Sequence, residues 1–383
     1  MPPWQRALFI LAFAQFISSL GFSNIFPFLP FYVKELGSRS NLSVEFWVGM
    51  VFSGQATTMM IASPIWGALA DRYGRKLMVE RAMFGGAVII LLMAFVHSAE
   101  QLVLLRTIQG MITGTVSATN ALAAATAPRH RTGYAMGVIQ VSRWSGVTLG
   151  PLMGGITADA VGFRATFAVT AFLLALAGVL VWRGVEEHFV RLAAAEGDAP
   201  SPGMVTAWRA VLRAPGVGVT YTLRFSSWLG RTMLLPFLPL FVQMLMPTTR
   251  SISTYTGLVV GVASATGTAS AIYLGRLGDR IGHRRILITC AAATALLYVP
   301  QSLATAGWQL LVLQALTGMA AGGIVPALGA LLARYTRPGE EGAVYGLDNS
   351  IVAAATLLLT TLLAAWRLPD TRPEMPLSPP QSV

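Results

Sequence analysis

Charge is scarce in this chain. Of its 383 residues only 11% are Asp, Glu, Lys or Arg, whereas 54% are hydrophobic. Soluble domains carry about 25% charged residues, so this stock cannot clothe a water-facing surface. Acids are scarcer than bases, 16 against 27. Cysteine is reduced to Cys290, which excludes an intrachain disulfide and a secreted disulfide scaffold. The histidines, His97, His130, His188 and His283, all fall in loops or at the ends of apolar runs. An intramembrane enzyme needs a clustered acid–base or nucleophile set, and no mid-span His–Asp or Cys–His pair exists to supply one. A Gly-x-x-x-x-Gly-Lys-Ser/Thr loop is also missing, which argues against a built-in ATPase. Neither a metal nor a cofactor is expected.

What the chain has in abundance is long apolar stretches. About twenty such residues are needed to cross the hydrocarbon core as a helix, and about eleven spans can be read: 7–32, 46–69, 78–97, 101–124, 133–157, 163–182, 216–242, 253–274, 286–305, 307–333 and 343–366. The first runs past Gly21 to Pro30 without a small-residue cleavage site, and is read as a retained span rather than a signal peptide. With the N-terminus placed in the cytoplasm, seventeen Lys and Arg fall on the inner side and four in outer loops. Positive residues favour the cytoplasmic face, so the expected product is an all-α, multi-pass protein of the cell inner (plasma) membrane with a cytoplasmic N-terminus. The basic excess belongs to the lipid bilayer surface, and nucleic acid is not needed to explain it.

The chain also repeats itself. Ser18-Ser-Leu-Gly21 with Pro27-Phe-Leu-Pro30 returns as Ser227-Trp-Leu-Gly230 with Pro236-Phe-Leu-Pro239, an offset of 209. Gly67-Ala-Leu-Ala-Asp-Arg-Tyr-Gly-Arg-Lys76 returns as Gly275-Arg-Leu-Gly-Asp-Arg-Ile-Gly-His-Arg284, an offset of 208. A duplicated six-span unit is a transporter architecture, with the substrate site near the midplane between the halves. The expected organisation is a six-helix bundle over 1–183, a polar cytoplasmic linker over 184–215, a second bundle over 216–368 and a disordered tail over 369–383. The register fails near residues 353–356: Trp182-Arg183 matches Trp366-Arg367 at an offset of only 184. About 25 residues are absent, so the second bundle is expected to hold about five helices.

Three motifs carry mechanism. Gly67-x-Leu-x-Asp71-Arg72-x-Gly74-Arg75-Lys76 joins the second and third spans. Its glycines permit a tight turn and close approach, and its acid can meet the positive end of a neighbouring helix. Gly146-x-x-x-Gly150-Pro151-x-x-Gly154-Gly155 gives the fifth span a smooth face and a bend. Arg106-x-x-Gln109-Gly110 puts a guanidinium inside the fourth span, where a charge is costly and functional by default.

On these motifs the chain resembles the major facilitator superfamily and, within it, the drug–proton antiporters of the multidrug exporter kind. The resemblance implies two six-helix pseudo-repeats that rock about a central cavity. It makes Asp71, Arg72 and Arg75, with the second copy at Asp279 and Arg280, a cytoplasmic latch. It makes the Gly146–Gly155 motif a seal against proton leak, and links Arg106 and Gln109 to proton coupling. It also implies that spans 1, 4, 7 and 10 line the cavity.

Candidate lining groups are then Asn24, Asn120, Arg143, Arg224, Trp228 and Arg231, with Phe26, Phe28 and Phe225 as further aromatic wall. Arg224 and Arg231 are seven apart and share one helix face. Asp348 is the one acid well inside a span, and is the candidate carrier of a coupled proton. Buried arginines without a span-1 acid favour anionic, zwitterionic or neutral amphiphiles by charge complementarity. The sequence thus points to proton-coupled drug export, with multidrug resistance as the consequence. Its rivals are a proton-linked uptake permease, or a truncated and inactive transporter.

Overall fold

The computed structural model describes residues 2–38, 40, 42, 44–112, 115–128, 131–187, 217–234, 237–247 and 251–328. Among them every long regular element is a helix: α1 (Pro3–Ser23), α2 (Leu29–Leu36), α3 (Val44–Tyr73), α4 (Arg75–Met93), α5 (Ala99–Ile112), α6 (Thr115–Thr126), α7 (Thr132–Val161), α8 (Phe163–Gly184), α9 (Val217–Leu234), α10 (Leu238–Leu245), α11 (Ile252–Ile281), α12 (His283–Ser302) and α13 (Gly307–Ala321). Four helical stretches, Trp4–Ser23, Phe163–Gly184, Ile252–Ile281 and Gly307–Leu328, are by themselves long and apolar enough to cross a bilayer. The span read at 343–366, and with it the shortened end of the second half, lies outside the described residues.

Proline and glycine set where the helices stop. The run read as one span over 7–32 divides into α1 and α2, because Pro27 has no N–H to donate and crowds the preceding turn. Pro30 then starts α2 near its first position, where the missing donor is harmless. Leu238-Pro239 opens α10 in the same way. Between α3 and α4 stands one residue, Gly74, at φ 99°, and between α11 and α12 one residue, Gly282, at φ 98°. A side chain is strained in that left-handed region, so a glycine at each turn lets two helices meet with no longer loop.

The duplication is visible in the packing. Thr58 Oγ1 on α3 donates to the carbonyl of Thr107 on α5 at 2.7 Å. Thr266 Oγ1 on α11, 208 residues later, donates to the carbonyl of Ala315 on α13 at 2.8 Å. Gly110 lies against the backbone of Gln55 and Gly318 against that of Ala263, again 208 apart. α3–α5 and α11–α13 are therefore the same helix pair built twice.

The largest apolar core lies entirely within α1–α8 and the residues flanking them. In it Phe28 stacks on Phe163 and meets Phe167 edge-on, at 5.5 and 5.6 Å, so Phe28 is fully buried packing rather than cavity wall. Two smaller cores, one around Cys290 and Ile324 and one around Val242 and Val259, lie within α10–α13 and the short stretch after it. Contact between the N-terminal and C-terminal sets of helices comes chiefly from α7 against α11.

Candidate functional site

The Gly-Pro motif of α7 serves two faces at once. Gly146, Gly150 and Gly154 recur every four residues and lie on α1, where an added methyl group would collide with the backbone of Phe16, Leu20 and Asn24. Ser23 fastens this contact by donating to the carbonyl of Gly146 at 3.2 Å. Gly155 is turned about 100° from Gly154 and faces α11 instead, against the carbonyl of Ser253. Gly257 and Gly261 of α11 answer from the other side, packed on the carbonyls of Pro151 and Thr148. The seam closes at Asp159, whose Oδ2 accepts from the Thr254 N–H and the Thr254 hydroxyl, both at 2.7 Å. Towards the other end of α7 Ala135 and Ile139 stay buried in the core of the first half, whereas a methyl group at Gly133 or Gly137 would meet nothing within 4 Å among the described residues. Among the described residues the halves therefore meet chiefly along the C-terminal part of α7 and the N-terminal part of α11.

Arg106 is among the largest fully buried side chains, at 1% exposure. Its Nη1 donates to Gln109 Oε1 at 2.9 Å, one helical turn away, and to Gln55 Oε1 of α3 at 3.1 Å. Its Nε and the Gln55 amide nitrogen are buried without a partner. Among the described residues this guanidinium is held by amide oxygens alone, and burying a charge without a counter-charge is costly. Sequence reasoning named Arg106 and Gln109 but missed Gln55. The available signal was a second long polar side chain in an otherwise small or apolar span.

The basic loop after α3 is held from an unexpected direction. Glu187, just beyond α8, accepts from the backbone N–H of Arg75 at 3.0 Å and of Lys76 at 2.8 Å. The α4 N-terminus thus receives the anion its dipole favours, from the start of the polar interval. Lys76 Nζ donates to the carbonyl of Trp182 at 2.9 Å and pairs with Glu80 at 3.6 Å. Gly67, Asp71 and Arg72 lie on the last two turns of α3, and the side chains of Asp71 and Arg72 lie outside the described residues. In the second copy Asp279 pairs with His283 at 3.2 Å within its own turn, and Arg280 is exposed.

The proposed lining groups whose side chains are described stand on α6, α7 and α9 and at the end of α1. Asn24 Nδ2 donates to Thr170 Oγ1 of α8 at 2.5 Å, and its Oδ1 is buried with no partner. Asn120 of α6 likewise holds an unpartnered buried Oδ1. Arg143 precedes Gly150 by seven residues, so it continues the row of α7 that faces α1, half-buried with its guanidinium 5.5 Å from the Trp144 ring. Trp228 is half-buried on α9. Arg224 and Arg231 are on α9 too, but their side chains, and Asp348 altogether, lie outside the described residues.

The sequence profile of the Major Facilitator Superfamily matches residues 11–247 and 220–368. The chain is 33% identical over 350 residues to the multidrug resistance protein MdtG of Salmonella paratyphi A, covering 91% of this chain and 85% of the relative. It is 35% identical over 350 residues to MdtG of Enterobacter lignolyticus, covering 91% and 82%. Among solved structures, the nucleoside transporter NupG superposes with a TM-score of 0.73 at 13% identity, over 96% of this chain and 91% of that one. The human organic anion transporter MFSD10 superposes with a TM-score of 0.65 at 18% identity, over 95% and 94%. Such distant likenesses speak for the fold alone. With a duplicated helix bundle, a Gly-Pro seam and a buried span-4 arginine in place, the chain belongs to the Major Facilitator Superfamily, among its multidrug exporters.

Proposed function

We propose that this protein exports small amphipathic compounds across the inner membrane by alternating access, driven by proton entry. The halves 1–183 and 216–368 are the moving bodies, joined by the linker 184–215, with the N-terminus in the cytoplasm. The observation that carries the reading is the one-ended seam of α7 and α11. With a cytoplasmic N-terminus, residues 148–159 and 253–261 lie toward the outer side, where the halves touch, and Gly133 and Gly137 face open space toward the inner side. That arrangement supports an inward-facing state, closed at the outer side by glycines that let the two backbones touch.

Proton coupling rests on Arg106. A buried cation with two amide partners and, among the described residues, no carboxylate partner is poised to gain or lose an anionic partner as the halves move, and Asp348 is the group proposed to carry the proton. Substrate choice follows charge: the absence of a span-1 acid favours anionic or neutral amphiphiles over cations. The relatives' name, multidrug resistance protein, supports a broad substrate range. The test is efflux from energised cells over a panel of cationic, anionic and neutral compounds, with and without a protonophore. Efflux that persists after the proton gradient collapses would overturn the coupling. Accumulation in place of efflux would overturn the direction.

A further inference from the structure

Helix α11 is capped by a residue of the other half. The first turn of any helix leaves backbone N–H groups without intrahelical partners, and a Ser, Thr, Asp or Asn at the N-cap ordinarily satisfies one of them. Ser251 stands at that position in α11 and makes no side-chain cap bond. Asp159, near the end of α7 and 95 residues before Thr254, takes the place instead, accepting from both the N–H and the hydroxyl of Thr254 at 2.7 Å. Its charge also meets the positive end of the α11 dipole.

We infer that Asp159 is an outer latch, a positioning residue that holds the two halves together only while that side is closed. The inference rests on the alternating-access reading. A cap supplied across the seam is made in one state and lost in the other, so its free energy acts on the equilibrium between states and not on either half alone. The surrounding contacts fit that role. Gly155 and Gly257 bring the two backbones together within about a turn of the carboxylate, on Ser253 and Pro151. Opening strips the Thr254 N–H of Asp159, and Ser251 makes no side-chain bond that would replace it. The basic loop after α3 is the inner latch expected from the sequence, and Asp159 gives the outer face a counterpart without sequence similarity to it.

The test is a distance measurement across the seam in lipid nanodiscs. Spin labels are placed at Val161 and Met244, exposed at 58% and 78%, in a chain with Cys290→Ala as the only other change. Asp159→Ala is expected to move the ratio of short to long distances about fivefold to tenfold toward long, the value of one lost cap. Asp159→Asn, which keeps an acceptor and loses the charge, is expected to fall between. Thr254→Val, which removes one of the two bonds and no backbone donor, gives a smaller shift and serves if the Asp159 variants fold poorly. Gly155→Leu wedges the same seam by bulk. If Gly155→Leu lengthens the distance and Asp159→Ala and Thr254→Val do not, the latch is wrong and the seam stands. If none of them, nor any transported compound, changes the distance, the rocking reading itself has failed.

Discussion

The guanidinium of Arg106 lies 3.1 Å from the amide oxygen of Gln55, and the two side chains come from different helices, α5 and α3. Hydrogen bonds to a charged group contribute about 1.5–3 kcal/mol each. Gln55→Leu is therefore expected to destabilise the protein by about 2 kcal/mol, read as a lower melting temperature in detergent. Gln55→Glu should act the other way on stability and still abolish transport. It supplies the permanent counter-ion that the site lacks, and an arginine already paired cannot exchange partners. A Gln55→Glu protein that melts higher and exports at least tenfold less per molecule meets this expectation; unchanged export refutes it.

Gly154 and Gly155 are neighbours with different duties. Gly154→Ala crowds Asn24 within one half, and overpacking of that kind costs about 1–3 kcal/mol. Loss of expression and of melting temperature should be its main effects. Gly155→Ala crowds Ser253 across the seam, so the separate halves should remain stable while the closed state is disfavoured. Comparing melting temperature with the accessibility of the seam to a thiol reagent, in single-cysteine variants, separates the two.

Glu187 anchors the α4 N-terminus with both carboxylate oxygens. Glu187→Ala should cost about 1 kcal/mol, the usual value of a lost cap. Glu187→Gln keeps one acceptor oxygen and should cost less. Thermal unfolding of the three proteins, measured in parallel at low salt, gives the order wild type, Gln, Ala; a different order would show that the contact is incidental.

Tyr32 offers a control away from the transport path. Its buried hydroxyl donates to the Met93 carbonyl at 2.9 Å, and losing a bond of this kind costs about 0.5–1.5 kcal/mol. Tyr32→Phe should lower the melting temperature slightly and leave export per molecule unchanged.

Much of this was legible in residues alone, for reasons that differ from place to place. The duplication could be read because Gly74 and Gly282 answer to a backbone angle that few other residues tolerate, and so stand in register. The close packing of α7 could be read because glycines four apart share a face. That the same motif also turns Gly155 to a second helix could not, since periodicity describes one helix and not its neighbours. Gln55 was missed for the same reason: its meaning comes from Arg106 on another helix. Asp159 read only as an acid near the end of a span, because capping across a seam joins residues 95 apart in sequence. The proline breaks at α2 and α10 were readable as prolines, yet a hydropathy window passes over them and yields one span where two helices stand.

The paired hydroxyl contacts of Thr58 and Thr266 bear on how the two copies were free to drift apart. Each donor is a threonine, but the acceptors are main-chain oxygens, of Thr107 in one copy and Ala315 in the other. The oxygen of Met111 receives the Trp66 indole, whereas that of Met319 receives the Ser270 hydroxyl. Because every residue carries the acceptor, substitution at the receiving position leaves the bridge intact, and a donor from a neighbouring turn can take over the task. Ancestral geometry can thus outlive ancestral spelling, which is how two bundles with few identical residues still fold as twins.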